Sequence, residues 1–248
     1  MVLKRLKAVL AFLSIIPVKR ECFNIEEVAE NMPLFPLIGL FLGFIFGFFH
    51  YTMTTFLTPA LAAALTFMLI EVLTGFHHID GLLDFGDGVM AYGPPEKKIA
   101  VMHDKQTGAG GYTLALTYAL VLVACLASIR RQDTILVIAI AESFAKFSMV
   151  IAARIGRSAY PGINKYFVSA MKRRNAMLKG ILALLPTLAI PIFLNKLILL
   201  VKILAASMLA TAIILAISNR HFNGVTGDVF GAINELSRMS ALVAAVLP

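Results

Sequence analysis

Six long apolar stretches, separated by short polar segments, dominate the hydrophobic pattern of this 248-residue chain. With soft edges, they cover residues 33–57, 59–76, 111–129, 134–153, 178–194 and 197–217. A helix needs about 20 mostly apolar residues to cross the hydrocarbon core of a bilayer. The pattern therefore predicts an all-α, polytopic membrane protein with about six transmembrane helices, built as a single domain over residues 1–248.

The two ends of the chain carry shorter or weaker apolar segments. Residues 4–18 combine a basic start with a short apolar run, and they lack the A-x-A-like cleavage site of a secretory signal. A segment of this length is expected to lie in the membrane interface rather than to cross the bilayer. Residues 229–248 are compatible with either an interfacial helix or a seventh span.

Glycines recur every four residues in the first long stretch, at Gly39, Gly43 and Gly47. In membrane helices, such a stripe of small residues allows two backbones to approach closely. We therefore predict that this stripe is a helix-packing surface.

Composition and charge agree with a membrane protein. Hydrophobic residues make up 59% of the chain, mean hydropathy is +0.86, and the formal net charge is +8. If the N-terminus lies inside, seventeen of the 22 Lys and Arg residues fall in cytoplasmic segments, whereas only Arg130, Arg131 and Lys196 fall on the other side. This asymmetry follows the positive-inside rule. We therefore expect a multi-pass cell-membrane protein with a lipid bilayer as its partner, no nucleic acid, and cytoplasmic termini and polar motifs.

The cysteine content does not suggest a disulfide framework or a metal site. The two cysteines, Cys22 and Cys125, are too few and too far apart in the sequence for either. Cys125 lies in an apolar stretch and is interpreted as a small buried residue.

Four of the fourteen acidic residues, Asp80, Asp84, Asp87 and Asp104, lie between the second and third apolar stretches. At about 100° per residue, the first three share one helix face within a sector of about 60°. Carboxylates at this spacing repel one another and are costly beside hydrocarbon. Oxygen ligands alone favour a hard cation, so we predict that these four hold Mg²⁺. The alternative is a solvated acidic loop between two spans.

Glycines accompany the acidic residues on both sides of a Pro-Pro break, including Gly108, Gly110 and Gly111. Glycine lets backbone N–H groups approach an anion closely. Metal-bound carboxylates followed by a glycine-rich segment are what a phosphoryl-transfer site needs, and Gly108 is therefore a candidate for substrate binding.

Charged residues also occur inside the apolar stretches. Glu142 and Lys146 are spaced i, i+4, which favours a buried ion pair. Glu71 is either a functional residue or a hydrogen-bonded support for the site. The basic loop at 154–179 is mostly explained by topology, with Arg157 and Lys165 the candidates for substrate binding.

Three ordered motifs resemble those of the cobalamin synthase family, also called adenosylcobinamide-GDP ribazoletransferase. They are DGLLDFGDG at 80–88, VMHD at 101–104 followed by GAGG at 108–111, and TGDVFGA at 226–232. The resemblance implies an enzyme that joins adenosylcobinamide-GDP to α-ribazole or its 5′-phosphate. The products would be adenosylcobalamin or its phosphate, and GMP. It implies no particular oligomeric state.

The resemblance also implies residue roles. Asp87 or Asp104 would accept the proton of the ribazole hydroxyl, and His78 would contact substrate or carry a proton. Lys146 falls where the family often has Arg, so it could contact a diphosphate. In the third motif Thr226 would contact substrate and Asp228 would join the carboxylate site, although local chemistry alone also allows a turn or helix-capping role for Asp228.

Two other functions remain open from the sequence. One is a metal-dependent alcohol phosphotransferase that uses a CDP-linked donor, but the D-G-x-x-A-R signature of those enzymes fails here because Asp84 and Phe85 occupy the Ala and Arg places. The other is a cation-coupled transporter, which would predict interrupted helices at matching positions in two halves. The chain shows no such halves.

Overall fold

The computed structural model describes residues 2–18 and 24–248. Within these residues the chain forms α1 Val2–Leu13, α2 Ile25–Glu30, α3 Phe35–Phe56, α4 Pro59–Leu73, α5 His77–Met90, α6 Pro95–Met102, α7 Ala109–Ser128, α8 Thr134–Ile155, α9 Ile163–Met171, α10 Ala176–Phe193, α11 Leu197–Phe222 and α12 Gly227–Val246. Short 3₁₀ turns at Met32–Leu34 and Arg131–Asp133 precede α3 and α8. Cys22, and Lys19 and Arg20 from the seventeen basic residues assigned to the cytoplasmic side, lie outside the described residues.

Six helices of the described chain are long and apolar enough to cross a membrane: α3, α7, α8, α10, α11 and α12. The predicted fold class, an all-α polytopic membrane protein, is confirmed. The C-terminal segment, which the sequence left between an interfacial helix and a span, forms one of these six helices. The N-terminal segment forms the 12-residue α1, which is too short to cross a bilayer.

The predicted continuous span over residues 59–76 is wrong in one respect. Its helix, α4, ends at Leu73, and the chain turns by 92° into α5. The turn uses two left-handed residues, Gly75 at φ 67° and Phe76 at φ 59°. Glycine adopts this conformation readily, whereas Phe76 does so at a cost in steric strain. The bend matters because it turns the acidic helix α5 away from the axis of α4.

Helix α8 is the centre of the bundle, and 83% of the residues in its apolar stretch are buried. The glycine stripe of α3 packs directly on it, as predicted. A β-carbon at Gly39 would lie 2.8 Å from the carbonyl oxygen of Glu142, and one at Gly43 would lie 2.7 Å from Ala139 Cα. Only glycine permits this backbone approach, so the stripe fixes how α3 lies against α8.

The two ends of the chain lie at opposite ends of the bundle. Near the start of the chain, Ile15 N donates to Leu73 O at 2.8 Å, beside the bend that leads into α5. At the other end, Lys202 Nζ, near the start of α11, donates to Pro248 O at 2.6 Å. This arrangement differs from the expected placement of both termini on one face, and the side of the membrane that each end faces stays a prediction. The cause of the difference is α12, which runs the length of the bundle instead of returning along its surface.

Candidate functional site

Two glycines bring α5 and α12 together at one end of the bundle. A β-carbon at Gly81 would lie 3.0 Å from Asp228 Cα, and one at Gly231 would lie 2.9 Å from His78 O. Any larger side chain would push the helices apart. This close crossing sets the start of α12 against the acidic face of α5, although about 140 residues separate them in the sequence.

Three carboxylates gather at this crossing: Asp80, Asp84 and Asp228, which we call the carboxylate face. Asp80 is exposed, and Asp84 and Asp228 are half-buried. Asp84 experiences the negative charges of Asp228, Asp80 and Asp87, in decreasing order of effect. Asp228 in turn experiences the negative charge of Asp80. The predicted gathering of Asp80, Asp84 and Asp228 is therefore present in the structure, and its members repel one another.

Asp87 has a different environment. Its Oδ2 accepts a hydrogen bond from Gly108 N at 2.7 Å, and its Oδ1 accepts one from Gly111 N at 2.8 Å. These amides belong to the N-terminus of α7, whose first N–H groups have no partner within the helix. The glycine-rich segment therefore does approach an anion, but the anion is the carboxylate of Asp87. Both Gly108 and Asp87, predicted as substrate and metal ligands, are engaged in capping α7.

The first turn of α12 assigns helix capping and the acidic charge to different residues, whereas the sequence left both roles open for Asp228. Thr226 is the N-cap, and its Oγ1 accepts a hydrogen bond from Val229 N at 3.1 Å. Asp228 stands two residues later, and its Oδ2 accepts a 3.3 Å hydrogen bond from Thr226 Oγ1. Thr226 therefore caps the helix, and the charge of Asp228 is directed to the carboxylate face.

Three other predicted site residues have local roles. Asp104 is exposed, and its Oδ1 accepts a hydrogen bond from Gln106 N at 3.2 Å. Arg157 Nε donates to Asn223 O at 2.6 Å, which fixes the turn before α12. Lys165 lines a cavity of about 430 Å³ formed with residues of α2 and α9.

A loop that the sequence reasoning missed lies beside Asp228. Val225 N donates to Arg157 O at 2.7 Å and Ala159 N donates to Val225 O at 3.0 Å, so the chain after α8 is pinned to the turn before α12. Tyr160, in this loop, bonds to His103 Nε2 at 3.1 Å. Burial, and then the negative charge of Asp228, raise the pKa of the Tyr160 hydroxyl. The signal in the sequence was weak, because both residues lie in loops.

A second set of charges is buried in the middle of the bundle. We call it the buried ionic network, and it consists of Glu71, Tyr118, Glu142, Lys146, Asn234, Glu235 and Arg238. Lys146 Nζ donates to Glu142 Oε1 at 2.8 Å and to Asn234 Oδ1 at 2.7 Å. Arg238 donates to Glu142 through Nε at 2.6 Å and through Nη2 at 3.2 Å. It also pairs with Glu235 and donates to Tyr118 Oη.

The network confirms the predicted Glu142–Lys146 ion pair and changes the interpretation of two cations. Arg238, counted among the cytoplasmic charges, is 1% exposed. Lys146, which the resemblance linked to a diphosphate, is fully buried and bonded inside the network. The Glu142–Lys146 pair is a structural element, since each charge is compensated by its buried partner and removing either one leaves an uncompensated charge.

His78 lies between the two sets of charges. It is 6% exposed, and its Nε2 has no hydrogen-bond partner among the described residues. The charges of Lys146, Arg238 and Glu142 act on it from the network. Its sequence position, two residues before Asp80, links the network to the carboxylate face.

The carboxylates of the described chain do not form a ready-made cage. No group of three or more His, Cys, Asp or Glu side chains within residues 2–18 and 24–248 is arranged to hold a metal ion. The donor chemistry nevertheless suits Mg²⁺, which usually binds through one or two carboxylates, water and substrate phosphates. Clustered like charges at Asp80, Asp84 and Asp228 are also compatible with a cation there.

The fold and this site define a polytopic helical membrane protein with acidic side chains gathered at one end of its bundle. A family model described as Cobalamin-5-phosphate synthase matches residues 5–246. The chain belongs to this family.

Curated relatives agree with the family. A protein of Methanocella arvoryzae named adenosylcobinamide-GDP ribazoletransferase is 35% identical, over 97% of this chain and 94% of its own length. Proteins with the same name from Methanococcoides burtonii and Syntrophobacter fumaroxidans are 31% and 33% identical, over 96% and 89% of this chain and 90% and 88% of their own lengths. No solved structure matches this chain.

Proposed function

We propose that this protein is a membrane-embedded transferase of cobalamin synthesis that joins adenosylcobinamide-GDP to α-ribazole or its 5′-phosphate. The family match and the relatives' names support the reaction class. The observation that carries the site assignment is the close crossing of α5 and α12, which brings Asp228 to Asp84 and Asp80.

The reaction is a transfer at phosphorus. The ribazole hydroxyl oxygen forms a new bond to the phosphorus attached to cobinamide, and the bond from that phosphorus to the bridging oxygen of the diphosphate breaks. GMP leaves with the bridging oxygen, and the hydroxyl proton passes to a base. Positioning and charge neutralisation are the main tasks of a protein in such a transfer.

The carboxylate face supplies the base. Asp84 is the best candidate, because its partial burial, and then the charges of Asp228 and Asp80 beside it, favour its uptake of a proton. This choice replaces the earlier candidates for two reasons: Asp87 is engaged with the amides of α7, and Asp104 is exposed in a local turn. His103 and Tyr160 are placed to contact the substrate beside Asp228.

We further propose that Mg²⁺ acts at this face, with Asp80 and Asp228 as its protein ligands and Asp84 left uncoordinated as the base. When bound, it would neutralise the substrate diphosphate and the departing GMP. The remaining ligands would come from water and substrate oxygens, in keeping with the habits of this ion. Asp87 would serve the site indirectly, by holding α7 against α5.

The carboxylate face is proposed to lie on the cytoplasmic side of the cell membrane. Basic loop residues lie at the same end of the bundle as this face: Lys98 bonds to His221 at the end of α11, and Arg157 donates to Asn223 O in the turn before α12. This placement agrees with the positive-inside rule. The N-terminus would then be cytoplasmic and the C-terminus external. In a variant lacking Cys22 and Cys125, a membrane-impermeant maleimide should label Lys97→Cys only from inside, and Arg131→Cys and Leu247→Cys only from outside. The reverse pattern would exclude a cytoplasmic site.

The test of the reaction is direct. Purified protein in lipid nanodiscs should release GMP from adenosylcobinamide-GDP only when α-ribazole or its 5′-phosphate and Mg²⁺ are present, with one corrinoid product formed per GMP. Release without the acceptor would indicate a hydrolase. Transfer from a CDP-linked alcohol donor instead would indicate the alternative phosphotransferase.

A further inference from the structure

We propose that the protein carries a binding site for an anionic phospholipid, separate from the carboxylate face. The site combines a basic cavity at the surface of the bundle with an apolar groove next to it, between α3, α8 and α10. The phosphate of the lipid would occupy the basic cavity, and one of its chains would lie in the groove.

The basic cavity has a volume of about 870 Å³ and lies where α1, α2, α3 and the start of α10 meet. Five basic residues line it: Lys4, Arg5, Arg173, Arg174 and Lys179. Only two acidic residues do so, Glu27 and Glu30. The cavity therefore has a surplus of positive charge.

The two acidic residues are already engaged with basic neighbours. Glu30 Oε1 lies 2.7 Å from Arg173 Nη1, and Glu27 Oε1 lies 3.8 Å from Lys4 Nζ. No carboxylate of the described chain lies within ion-pair distance of Arg5, Arg174 or Lys179. These three cations are the part of the cavity that an anion would recognise, and their grouping suits a phosphate.

The apolar groove has a volume of about 670 Å³, and it lies next to the basic cavity. Leu37 lines both, and Leu6, which follows Arg5 in α1, lines the groove. Phe41 and Phe44 of α3 and Ile190 of α10 line its further course. The two spaces are therefore neighbours across Leu37, and together they would lead from a charged surface to the membrane-facing side of the bundle.

The dimensions fit a lipid chain. From Leu182, at the edge of the basic cavity, to Leu194, at the far end of the groove, α10 advances twelve residues, or about 18 Å. One half of a bilayer core is about 15 Å thick. A phosphate at one end and an apolar path of this length at the other are the features of an anionic phospholipid. A soluble phosphate or nucleotide would use only the basic cavity.

The test compares lipids on delipidated protein in a neutral detergent, with bound lipid counted by native mass spectrometry. Dioleoyl phosphatidylglycerol should bind at least about tenfold more tightly than dioleoyl phosphatidylcholine, because each basic residue near a surface contributes appreciably to anion attraction. Dihexanoyl phosphatidylglycerol should bind at least about tenfold more weakly than the dioleoyl form, because its chains fill little of the groove.

Matched variants locate the site. The triple variant Arg5→Gln, Arg174→Gln, Lys179→Gln should lose the preference for phosphatidylglycerol. The control variant Lys97→Gln, Lys105→Gln, Arg220→Gln removes the same charge from exposed residues outside the cavity and should keep it. All six residues are exposed, so both proteins should fold.

Three outcomes would overturn the proposal. The first is equal affinity for phosphatidylglycerol and phosphatidylcholine. The second is an equal loss of the preference for phosphatidylglycerol in the two triple variants. The third is displacement of phosphatidylglycerol by inorganic phosphate or GMP at similar concentration, which would indicate a soluble-anion site.

Discussion

The carboxylate face and the buried ionic network show opposite solutions to charge in a membrane bundle. In the network, Arg238 and Lys146 make close hydrogen bonds to carboxylate and amide oxygens, and Arg238 is 1% exposed. At the carboxylate face, Asp84 is half-buried among other negative charges. The two regions share α12, along which Asp228 and Arg238 are about 15 Å apart.

The difference shows which charges serve the fold and which are open to substrate. A charge in the hydrocarbon region is tolerated when its partners compensate it, so a network of paired charges stabilises one arrangement of helices. Clustered like charges at the end of the bundle destabilise the protein unless something positive joins them. We therefore expect variants of the network to lose folding and variants of the face to lose turnover.

The largest expected effect is in the network, at Arg238. Arg238→Gln leaves Glu142 and Glu235 buried without their cation, and breaking a buried pair in this way costs about 3–5 kcal/mol. We expect little folded protein and a strongly lowered apparent Tm, measured by fluorescence-detected size exclusion after heating. Arg220→Gln, an exposed arginine of α11, is the matched control and should behave as wild type. If Arg238→Gln had the thermal stability of wild type, the buried ionic network would not be needed for the fold, and the distinction from the carboxylate face would be wrong.

The next effect sharpens the comparison at Asp84. Asp84→Asn preserves shape and removes charge, so it should fold at least as well as wild type while losing turnover by roughly 100-fold or more. GMP release at saturating Mg²⁺ measures the loss. Asp133→Asn is the control with the opposite expected result. Asp133 pairs with Arg130 at 2.8 Å and with Lys196 at 3.0 Å at the far end of the bundle. The variant should change stability and leave turnover intact. Near-normal turnover in Asp84→Asn would remove it from the site.

Asp87 combines features of both regions. Its charge acts on the carboxylate face, but both of its oxygens accept hydrogen bonds at the N-terminus of α7. Asp87→Ala removes both hydrogen bonds to the amides of Gly108 and Gly111, which should lower stability by about 1–2 kcal/mol. Asp87→Asn should recover only part of this stability, because its single amide oxygen can accept one of the two hydrogen bonds while its Nδ2, a donor, faces the other N–H. Thermal unfolding of the two variants checks the order. Equal stability of Asp87→Ala and wild type would argue against the capping role.

The smallest effect concerns the bend that directs α5 to the face. Phe76 holds a left-handed conformation at φ 59°, which glycine adopts without steric cost. Phe76→Gly relieves strain but adds freedom to the unfolded chain, so stability should change by less than about 1 kcal/mol. Turnover should be unchanged, because the bend is kept. A large loss of turnover at normal stability would assign a substrate contact to the Phe76 ring.

The hydrophobic pattern predicted most of the fold because spans are read directly from apolar length. It missed the 92° bend after α4, since apolar residues continue up to the turn and the left-handed geometry at Phe76 has no signature in the residue type. The pattern also left open whether α12 is long and apolar enough to span, because Asn234, Glu235 and Arg238 lower its hydropathy. Those side chains are buried against α8 and α7, and only the tertiary structure supplies their partners.

The candidate site was predicted in part. The i, i+4 spacing placed Asp80 and Asp84 on one face, and the structure brings Asp228 close to them, while the role of these residues in transfer stays a prediction. The sequence could not show that Gly108 binds Asp87, because a glycine-rich segment suits a side-chain carboxylate as well as a substrate phosphate. His103 and Tyr160 were missed because loop pairing depends on contacts between distant segments.

The most direct test of the account is single-turnover GMP release by Asp228→Asn, measured beside Thr226→Val in the same lipid nanodiscs. Thr226 caps α12 and Asp228 supplies charge to the carboxylate face, so the pair separates folding from chemistry at neighbouring residues. We expect Thr226→Val to lower the Tm. We expect Asp228→Asn to keep the wild-type Tm and lose turnover by roughly 100-fold or more. Full turnover in Asp228→Asn would contradict the assignment of the carboxylate face as the site of transfer.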